Sequence, residues 1–462
     1  MSQPAGRVAP LSGWGRYPVA DCRLVRVSRP AEAAALVQGA ESLIARGCGR
    51  SYGDCSLNSE LTVATGAMDR LIAFDEQTGQ LTCEAGLRLA DLIDIFLPRG
   101  WLAPVTPGTQ FVTIGGMIAA DVHGKNHHFA GSFCDHLNWI DLALPGGRVE
   151  RCSRESNADL FAATCGGMGL TGIILRAAFR MKRVETAQIR QRTIRAGNLE
   201  AAVDAFEASL DWTYSVAWVD CLATGKDLGR SVIFLGEHAK TDELPAGQRG
   251  DPFRRPPRTA RRMPVDAPSF ALGPRAVRLF NGSYYRAQRN GERLVDFEPY
   301  FYPLDAIGDW NRIYGRRGFM QYQCVLPLET SRAGMARLLD AISSEGAGSF
   351  LAVLKRMGPQ SFGLLSFGMP GYTLALDFPV SESNLALLVR LDAIVAECGG
   401  RLYLAKDARA AASAVEPGYP RLPEFRETRR RCVVSAARIP ISPSSWAYPG
   451  AATSTDSPGD DS

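Results

Sequence analysis

Residues 101–133 concentrate the side chains of this sequence that are most able to do chemistry. The stretch holds His123, His127 and His128, three of the five histidines in the chain, together with Lys125 and five glycines. Imidazoles can bind a metal ion or move protons, and closely spaced glycines let a backbone approach a phosphate or a ring system. These residue types are therefore compatible with a metal site, a phosphate cradle or a flavin pocket.

The metal site is the first of these possibilities. His123 and His127 have the i, i+4 spacing that places two ligands on one face of a helix. However, the surrounding residues are rich in glycine, no H-E-x-x-H motif is present, and Lys125 would repel a cation held between the histidines. We therefore predict that this protein holds no metal.

Two further glycine-rich segments accompany this stretch. The segment 46–54 (RGCGRSYGD) interrupts a predicted strand, and 165–172 (CGGMGLTG) follows a short predicted helix. Consecutive backbone N–H groups in such loops can bind phosphate oxygens, although a plain surface loop is an alternative for either one. The first segment lacks the G-x-G-x-x-G spacing of a nicotinamide-binding unit. Three glycine clusters between short strands instead favour a different nucleotide cofactor.

Length and composition limit the classes of protein. With 462 residues the chain predicts about three structural units, and 46% hydrophobic with 22% charged residues is typical of globular proteins. A formal net charge of +4 does not indicate a nucleic-acid partner. Neither a long apolar run nor the apolar core of a signal peptide is present, which predicts a cytoplasmic protein, with peripheral contact at the inner membrane as an option. The eleven scattered cysteines indicate reduced thiols rather than a disulfide framework.

The elements around the candidate residues divide into two predicted domains. Short strands and glycine loops make up the first, at 12–185, and alternating strand patterns make up the second, at 186–398. Within the second domain, 244–275 holds seven prolines and many arginines, and we interpret it as a flexible basic loop: a solvated linker, or a lid that contacts anionic lipid head groups. The segment 399–431 is predicted to return to the first domain. A tail rich in Ser, Pro, Gly and Asp, at 432–462, is predicted to be disordered.

Several blocks of the sequence resemble known flavoproteins. Three segments resemble the FAD-binding domain of the vanillyl-alcohol-oxidase type (PCMH type): RGCGRSYGD, PGTQFVTIGGMIAADVHGKNHHFAGSF and LFAATCGGMGLTGII. Four segments carry a more specific resemblance, to the oxidative subunit of decaprenylphosphoryl-β-D-ribose 2′-epimerase. They are HGKNHH, FYPLDAIGDWNRIYGRRGFMQYQCVLP (301–327), SFLAVLKRMGP (349–359) and GGRLYLAKDAR (399–409). The resemblance covers roughly residues 12–430 and ends before the tail, which diverges from the family.

This resemblance implies an α+β fold of two domains, an FAD-binding domain of that type and an α+β substrate-binding domain built on an antiparallel sheet. It also implies that FAD is bound non-covalently, because family relatives with covalent flavin often carry a histidine in the first glycine loop and 46–54 has none. The cofactor-binding residues that it implies are Arg46, Gly47, Cys48, Gly49, Arg50, Ser51, Tyr52, Gly53, Asp54, Gly108, Thr113, Ile114, Gly115, Gly116, Ala120, His123, Ile174 and Tyr403.

Two residues are implied as catalytic. Lys406 matches the active-site lysine of the family, where it could stabilise negative charge on a reduced flavin or, with a lowered pKa, act as a base. The alternative is a surface lysine that pairs with Asp407. His123 is a second candidate proton acceptor, or else a structural histidine.

Four residues match substrate-pocket positions of the family: Lys125, Tyr314, Gln323 and Lys355. Tyrosine and glutamine can form hydrogen bonds to sugar hydroxyls, and lysines suit a phosphodiester. Each of the four could equally be a packing or rim residue.

The resemblance therefore predicts oxidation of the C2′ hydroxyl of a polyprenyl-phosphoryl-β-D-ribofuranose to the 2′-keto sugar. A separate short-chain reductase would complete epimerisation to the arabinose donor for cell-envelope glycans, and quinone or oxygen would accept the electrons. Thr373 and Ala375 replace an Asn-x-Cys pair that is common in the family, and this changes the shape and polarity of the pocket. The alternatives are a soluble sugar or aldonolactone oxidase of the same superfamily and a non-catalytic flavin-binding paralogue.

Overall fold

The computed structural model describes residues 6–256, 261–268 and 273–433. The strands are β1 (Arg7–Ser12), β2 (Val19–Arg26), β3 (Ile44–Arg46), β4 (Thr62–Ala64), β5 (Leu71–Asp75), β6 (Gln80–Glu84), β7 (Trp101–Leu102), β8 (Leu137–Ala143), β9 (Val149–Ser153), β10 (Ile173–Arg180), β11 (Lys182–Arg183), β12 (Gln188–Ala196), β13 (Tyr214–Val219), β14 (Ser231–His238), β15 (Arg261–Arg262), β16 (Gly291–Asp296), β17 (Ile307–Gly308), β18 (Phe319–Pro327), β19 (Ala352–Met357), β20 (Gly371–Pro379) and β21 (Arg401–Leu402). The α-helices are α1 (Pro30–Gly39), α2 (Leu89–Phe96), α3 (Ile114–Ala119), α4 (His127–Ala130), α5 (Ala158–Thr164), α6 (Leu199–Glu207), α7 (Pro274–Ala287), α8 (Phe297–Phe301), α9 (Leu328–Ser344), α10 (Glu382–Glu397), α11 (Ala412–Val415) and α12 (Leu422–Val433).

Two sheets form the part of the chain that carries the glycine loops. A four-stranded sheet has the order β1-β2-β4-β3, and a five-stranded antiparallel sheet has the order β5-β6-β10-β8-β9. The central strand β10 reads IILRAAFR, and six of its eight residues are buried because both of its faces are covered. The glycine loop 46–54 begins where β3 ends, so the sheet fixes the point from which this loop departs.

An eight-stranded sheet forms the second half of the fold. Its order is β16-β12-β14-β13-β19-β20-β18-β21, and every neighbouring pair is antiparallel. The predicted α+β class and the antiparallel sheet are therefore confirmed. Helices α6, α9 and α10 pack together with one face of this sheet, and α9 buries Leu338, Leu339 and Ile342 there. Burying each such side chain stabilises the fold by about 1.5–3 kcal/mol.

Alternation along the central strands decides which residues face away from these helices. On β18, Gln321 and Gln323 point to a cavity while Tyr322 and Cys324 lie in the core. The neighbouring strand β19 follows the same rule, with Lys355 on the cavity side. This period of two residues is a property of any strand, so the register of three adjacent strands gathers polar side chains at one place on the sheet.

The segment after residue 398 joins the sheet and the glycine loop. Its strand β21 pairs with β18 at the edge of the large sheet. Beyond it, the carbonyl oxygen of Ala405 accepts a hydrogen bond from the N–H of Tyr52 at 3.1 Å. A Cβ atom on Gly53 would lie 1.8 Å from the carbonyl oxygen of Asp407, so a glycine is required at this close approach. The domain boundaries at 185 and 398 stay predictions.

The predicted flexible loop at 244–275 is partly structured where it is described. Strand β15 pairs in parallel with β17, and the Asp266 carboxylate accepts hydrogen bonds from Arg16 and Arg312. The prediction also covers 257–260 and 269–272, which lie outside the described residues. The predicted disordered tail lies outside them as well, except for its first two residues, which end α12.

The described cysteines are free thiols and most of them are buried, in agreement with the predicted absence of a disulfide framework in this part of the chain. Among the helices of the described residues, none combines the length and the apolar character needed to cross a bilayer.

Candidate active site

A cavity of about 680 Å³ lies between the glycine loops and the eight-stranded sheet. This volume is within the range of roughly 300–1,000 Å³ that is usual for ligand sites. The predicted site residues on its wall are Gly47, Cys48, Gly49, Arg50, Ser51, Tyr52, Gly108, Thr113, Gly115, Gly116, Ala120, His123, Lys125, Ile174, Gln323, Lys355, Tyr403 and Lys406. The fold thus brings together residues from distant parts of the sequence, at 47–52, 108–125, 174, 323, 355 and 403–406.

Five predicted site residues lie outside this wall. The Arg46 guanidinium donates hydrogen bonds to Ser56 and to the carbonyl oxygen of Ser12. These bonds connect the start of the glycine loop to the segments on either side of it. Tyr314 is buried, stacks on Phe319 with ring centroids 4.2 Å apart, and donates a hydrogen bond to Asp377 at 3.1 Å. The full set is Arg46, Gly53, Asp54, Ile114 and Tyr314. Arg46 and Tyr314 therefore support residues near the wall rather than line it, and Asp54 is exposed.

The glycine loops leave backbone exposed to the cavity because they pack too closely for side chains. A Cβ atom on Gly47 would lie 2.2 Å from Thr113 Oγ1, and one on Gly115 would lie 3.0 Å from the Cβ atom of Ala85. Gly49 has a φ of +63°, a conformation that favours glycine. Arg50 adds a cation that lies 3.8 Å from the ring centroid of Trp14. Exposed backbone beside a held cation fits the pyrophosphate of a dinucleotide cofactor.

Lys406 extends into the cavity from the segment that follows β21. Its Nζ atom lies 3.8 Å from the ring centroid of Tyr52. Burial lowers the pKa of Lys406 to about 7, against the opposing attraction of the Asp377 carboxylate. The Asp407 carboxylate instead accepts hydrogen bonds from the backbone N–H groups of Arg409 and Ala410. This geometry does not match the alternative of a surface lysine paired with Asp407.

His123 is held between two polar side chains of the large sheet. Its Nε2 atom lies 3.0 Å from Gln323 Nε2, and its Nδ1 atom lies 3.1 Å from Lys355 Nζ. Burial, together with the charge of Lys355, lowers the pKa of His123 well below its usual value. Burial also lowers the pKa of Lys355, to about 8. The imidazole is therefore neutral at pH 7, and both of its ring nitrogens are engaged.

Lys125 is the third amine on the wall. Its ammonium group donates a hydrogen bond to the carbonyl oxygen of Tyr300 and lies 4.3 Å from the centroid of that ring. Burial, together with the nearby charge of Lys355, lowers the pKa of Lys125 to about 7. Three amines with lowered pKa values on one wall are suited to an anionic ligand, which would restore their charged forms.

An aromatic patch, made of Trp218, Phe280, Tyr284 and Phe350, forms part of the cavity wall, where Phe280 is 43% exposed. Tyr284 lies 4.7 Å from Trp218 between ring centroids, and Phe280 lies 5.0 Å from Phe350. Two of these rings come from α7, which the sequence reading did not identify as part of the site. The amphipathic sequence PRAVRLFNGSYYRA, with aromatic residues spaced by four, was the available signal.

Asp377 was also missed as a site residue, and Thr373 was identified only as a departure from the family's pocket, with no contact assigned to it. Both lie on the cavity-facing side of β20, where Thr373 contacts Gln323 and Asp377 contacts Gln321 and Tyr314. Their partners are 50 to 63 residues away in the chain, so no local spacing indicated these contacts. Within the residues that the structure describes, no group of three or more His, Cys, Asp or Glu side chains could hold a metal ion.

Comparison with known proteins gives a family match for the region of the first two glycine loops and similarity to one relative along most of the chain. Residues 23–153 match the family model described as an FAD binding domain. The chain is 37% identical over 432 residues to the decaprenylphosphoryl-beta-D-ribose oxidase of Mycolicibacterium smegmatis, which covers 91% of this chain and 93% of that protein. It is 36% identical over 354 residues to an uncharacterized protein of Streptomyces coelicolor, with 74% and 94% covered. The L-gulonolactone oxidase of Mus musculus is 31% identical over only 131 residues, 28% of this chain and 29% of that protein.

Proposed function

Because this chain belongs to the decaprenylphosphoryl-β-D-ribose oxidase family of FAD-dependent oxidoreductases, we propose that it oxidises the C2′ hydroxyl of a polyprenyl-phosphoryl-β-D-ribofuranose. The product is the 2′-keto sugar. The observation that carries this proposal is the placement of three amines, Lys125, Lys355 and Lys406, on a cavity wall shared with the exposed backbone of the glycine loops. An anionic sugar and a flavin cofactor can both be held within one such space.

The glycine loops are the proposed cofactor-binding part. Backbone N–H groups of 47–51 are offered to the pyrophosphate, and Ile174 and Tyr403 border the space beside them. The N–H groups of Tyr52, Gly115 and Gly116 instead donate hydrogen bonds within the protein, to Ala405, Ala85 and Thr113. FAD, when bound, supplies the acceptor for the hydride that leaves C2′. We propose that it is bound non-covalently, because 46–54 has no histidine and the ring nitrogens of His123 on the wall are already engaged.

Lys406 is the proposed proton acceptor. A pKa of about 7 leaves a large fraction of the amine neutral at physiological pH, so that its lone pair can take the proton of the substrate hydroxyl. The resulting ammonium group then lies in a partly buried site where it stabilises nearby negative charge. His123 suits this role less well, because its pKa is far below neutrality and its nitrogens have partners.

The anion and the lipid chain of the substrate have separate proposed contacts. Lys125 and Lys355 are offered to the phosphodiester, whose charge would raise their lowered pKa values and draw protons from solution. The polyprenyl chain is proposed to leave the cavity along the aromatic patch, because this part of the wall offers an apolar surface.

A peripheral membrane contact is proposed for the outer face of α7. Leu279 is 73% exposed and Phe280 is 43% exposed, and the exposed Arg275 and Arg278 flank them. Apolar side chains among arginines match the surface of an anionic bilayer. Wild-type protein is expected to sediment with phosphatidylglycerol vesicles, and the Leu279→Asp variant should bind them less. Val389→Asp on α10, where Val389 is 62% exposed, is the matched control and should bind like wild type.

Anaerobic bleaching of the flavin by a panel of sugars tests the proposed activity. Polyprenyl-phosphoryl-ribose should bleach the flavin, whereas free ribose and aldonolactones should not. Bleaching by an aldonolactone alone would identify a soluble lactone oxidase instead, and no bleaching by any sugar would indicate a non-catalytic paralogue. A separate short-chain reductase that consumes the keto sugar, and quinone or oxygen as electron acceptor, complete the proposed sequence of reactions.

A further inference from the structure

Thr373 lies behind Gln323 and is fully buried. Its Oγ1 atom donates a hydrogen bond to the carbonyl oxygen of Cys324 at 2.7 Å and lies 3.1 Å from Gln323 Nε2. A hydroxyl has a single hydrogen, and the Cys324 carbonyl takes it, so Oγ1 can only accept from Gln323. Thr373 thereby selects one of the two orientations of the Gln323 amide. In this orientation the NH2 group faces both Thr373 Oγ1 and His123 Nε2.

This amide orientation determines the tautomer of His123. Gln323 Nε2 lies 3.0 Å from His123 Nε2, and an NH2 group can only donate. His123 Nε2 must therefore carry a lone pair, and a neutral imidazole then carries its one proton on Nδ1. The imidazole is neutral because burial lowers its pKa well below the usual value.

The tautomer of His123 determines in turn which form of Lys355 fits beside it. The proton on Nδ1 faces Lys355 Nζ at 3.1 Å, and only the neutral amine has a lone pair to accept it. The other titratable groups that face this pair are His127, Lys125, Lys406 and Tyr403. None of these four carries a negative charge at pH 7 that would favour an ammonium group on Lys355.

We propose that Thr373 is a positioning residue that fixes the amide of Gln323 and, through His123, favours the neutral amine form of Lys355 over its ammonium form. In that form Lys355 presents two N–H donors and no charge to a ligand that enters the cavity. The chain of contacts stands on the geometry of the protein itself. Only the identity of the ligand that meets Lys355 rests on the function proposed above.

Removing the acceptor at residue 373 should release the amide. In Thr373→Val, which keeps the shape of the side chain, Gln323 can turn by half a rotation and offer its oxygen to His123 Nε2–H. His123 Nδ1 then accepts a hydrogen bond from the ammonium form of Lys355, so the charged form gains stability. We expect the pKa of Lys355 to rise by about one unit, the worth of one hydrogen bond. Thr373→Ser keeps the hydroxyl and should keep the wild-type pKa.

Competitive labelling of the holoenzyme with acetic anhydride measures this pKa without any substrate. Only the neutral amine reacts, so the pH dependence of labelling at Lys355, followed by mass spectrometry, gives its midpoint. The exposed Lys226 and Lys240 are internal references whose midpoints should not move between variants. Equal midpoints in wild type and Thr373→Val, with equal flavin absorbance, would overturn the proposal. An equal shift in Thr373→Ser would overturn it as well.

A measurement on the wild-type protein keeps the proposal testable if Thr373→Val does not fold. The ¹⁵N resonances of labelled histidine distinguish the two neutral tautomers, and His123→Gln assigns the relevant signals. The proton is expected on Nδ1 of His123, and a proton on Nε2 would contradict the proposal. Neither measurement uses a sugar, so a failed substrate panel would refute the proposed activity and leave the role of Thr373 intact.

Discussion

Replacing Lys406 by methionine is the most direct test of the proposed chemistry. Lys406→Met keeps most of the aliphatic stem and removes the amine that lies 3.8 Å from the centroid of Tyr52. The variant should still bind FAD, because the exposed backbone that fits the pyrophosphate belongs to 47–51. Its flavin reduction should nevertheless be slower by about 100-fold to 1,000-fold, the usual effect of removing one preorganised electrostatic contact.

The pH dependence of the same reaction distinguishes a proton acceptor from a purely structural lysine. With a pKa of about 7, Lys406 is increasingly protonated as the pH falls below 7 and can no longer accept a proton. Flavin reduction in wild type should therefore fall toward low pH, and this limb should be absent in Lys406→Met. Lys226→Met, at an exposed lysine, is the matched control and should behave as wild type.

Stopped-flow measurement of flavin bleaching, under anaerobic conditions and at saturating polyprenyl-phosphoryl-ribose, provides both results. A Lys406→Met rate within about threefold of wild type is far below the expected loss and would refute the catalytic role of Lys406. In that case His123 would become the main candidate. A variant that has lost its flavin would show instead that Lys406 is needed for cofactor binding.

Three further predictions follow from the cofactor, the buried lysines and the core. Mild acid or heat should release FAD into the supernatant, and flavin that stays with the precipitated protein would contradict non-covalent binding. The pKa of Lys355 is about 8 in the folded protein, below the value near 10.4 of an unfolded lysine, so the unfolded chain binds more protons between these values and stability rises with pH. In urea unfolding of the apoprotein, the stability of wild type should rise by about 1 kcal/mol more between pH 7 and pH 9 than the stability of Lys355→Met. An equal rise in the two proteins would contradict this. Leu338→Ala, in the fully buried face of α9, should lower the free energy of unfolding by about 2–5 kcal/mol, whereas Val389→Ala at an exposed position of α10 should change it little.

Local patterns were sufficient for the elements that surround the site. The strand predicted next to 46–54 is β3, and the short helix predicted before 165–172 is α5, because local residue patterns indicate where an element begins and ends. The glycine loop 46–54 was found for a similar reason. Where two backbones approach closely there is no room for a side chain, so the position must be a glycine, and glycines are visible in the sequence.

Most of the site residues that the family resemblance identified lie on the cavity wall, but the resemblance did not tell which of them touch the cavity. Arg46 and Tyr314 match family positions, yet the fold directs their side chains toward Ser56 and Asp377 behind the wall. A matching position reports that a residue type is used there, and only packing decides whether the side chain faces the cavity or supports a neighbour.

The sequence by itself determined the α+β class, the glycine loops and the lysines that could serve an anionic substrate. The tertiary structure alone decided how His123 meets Gln323 and Lys355, which are 200 and 232 residues away in the chain. It also decided the place of Thr373 behind Gln323, across 50 residues. Secondary structure follows from interactions among near neighbours, whereas hydrogen-bond partners and pKa values depend on strand register and burial, which exist only once the sheets have packed.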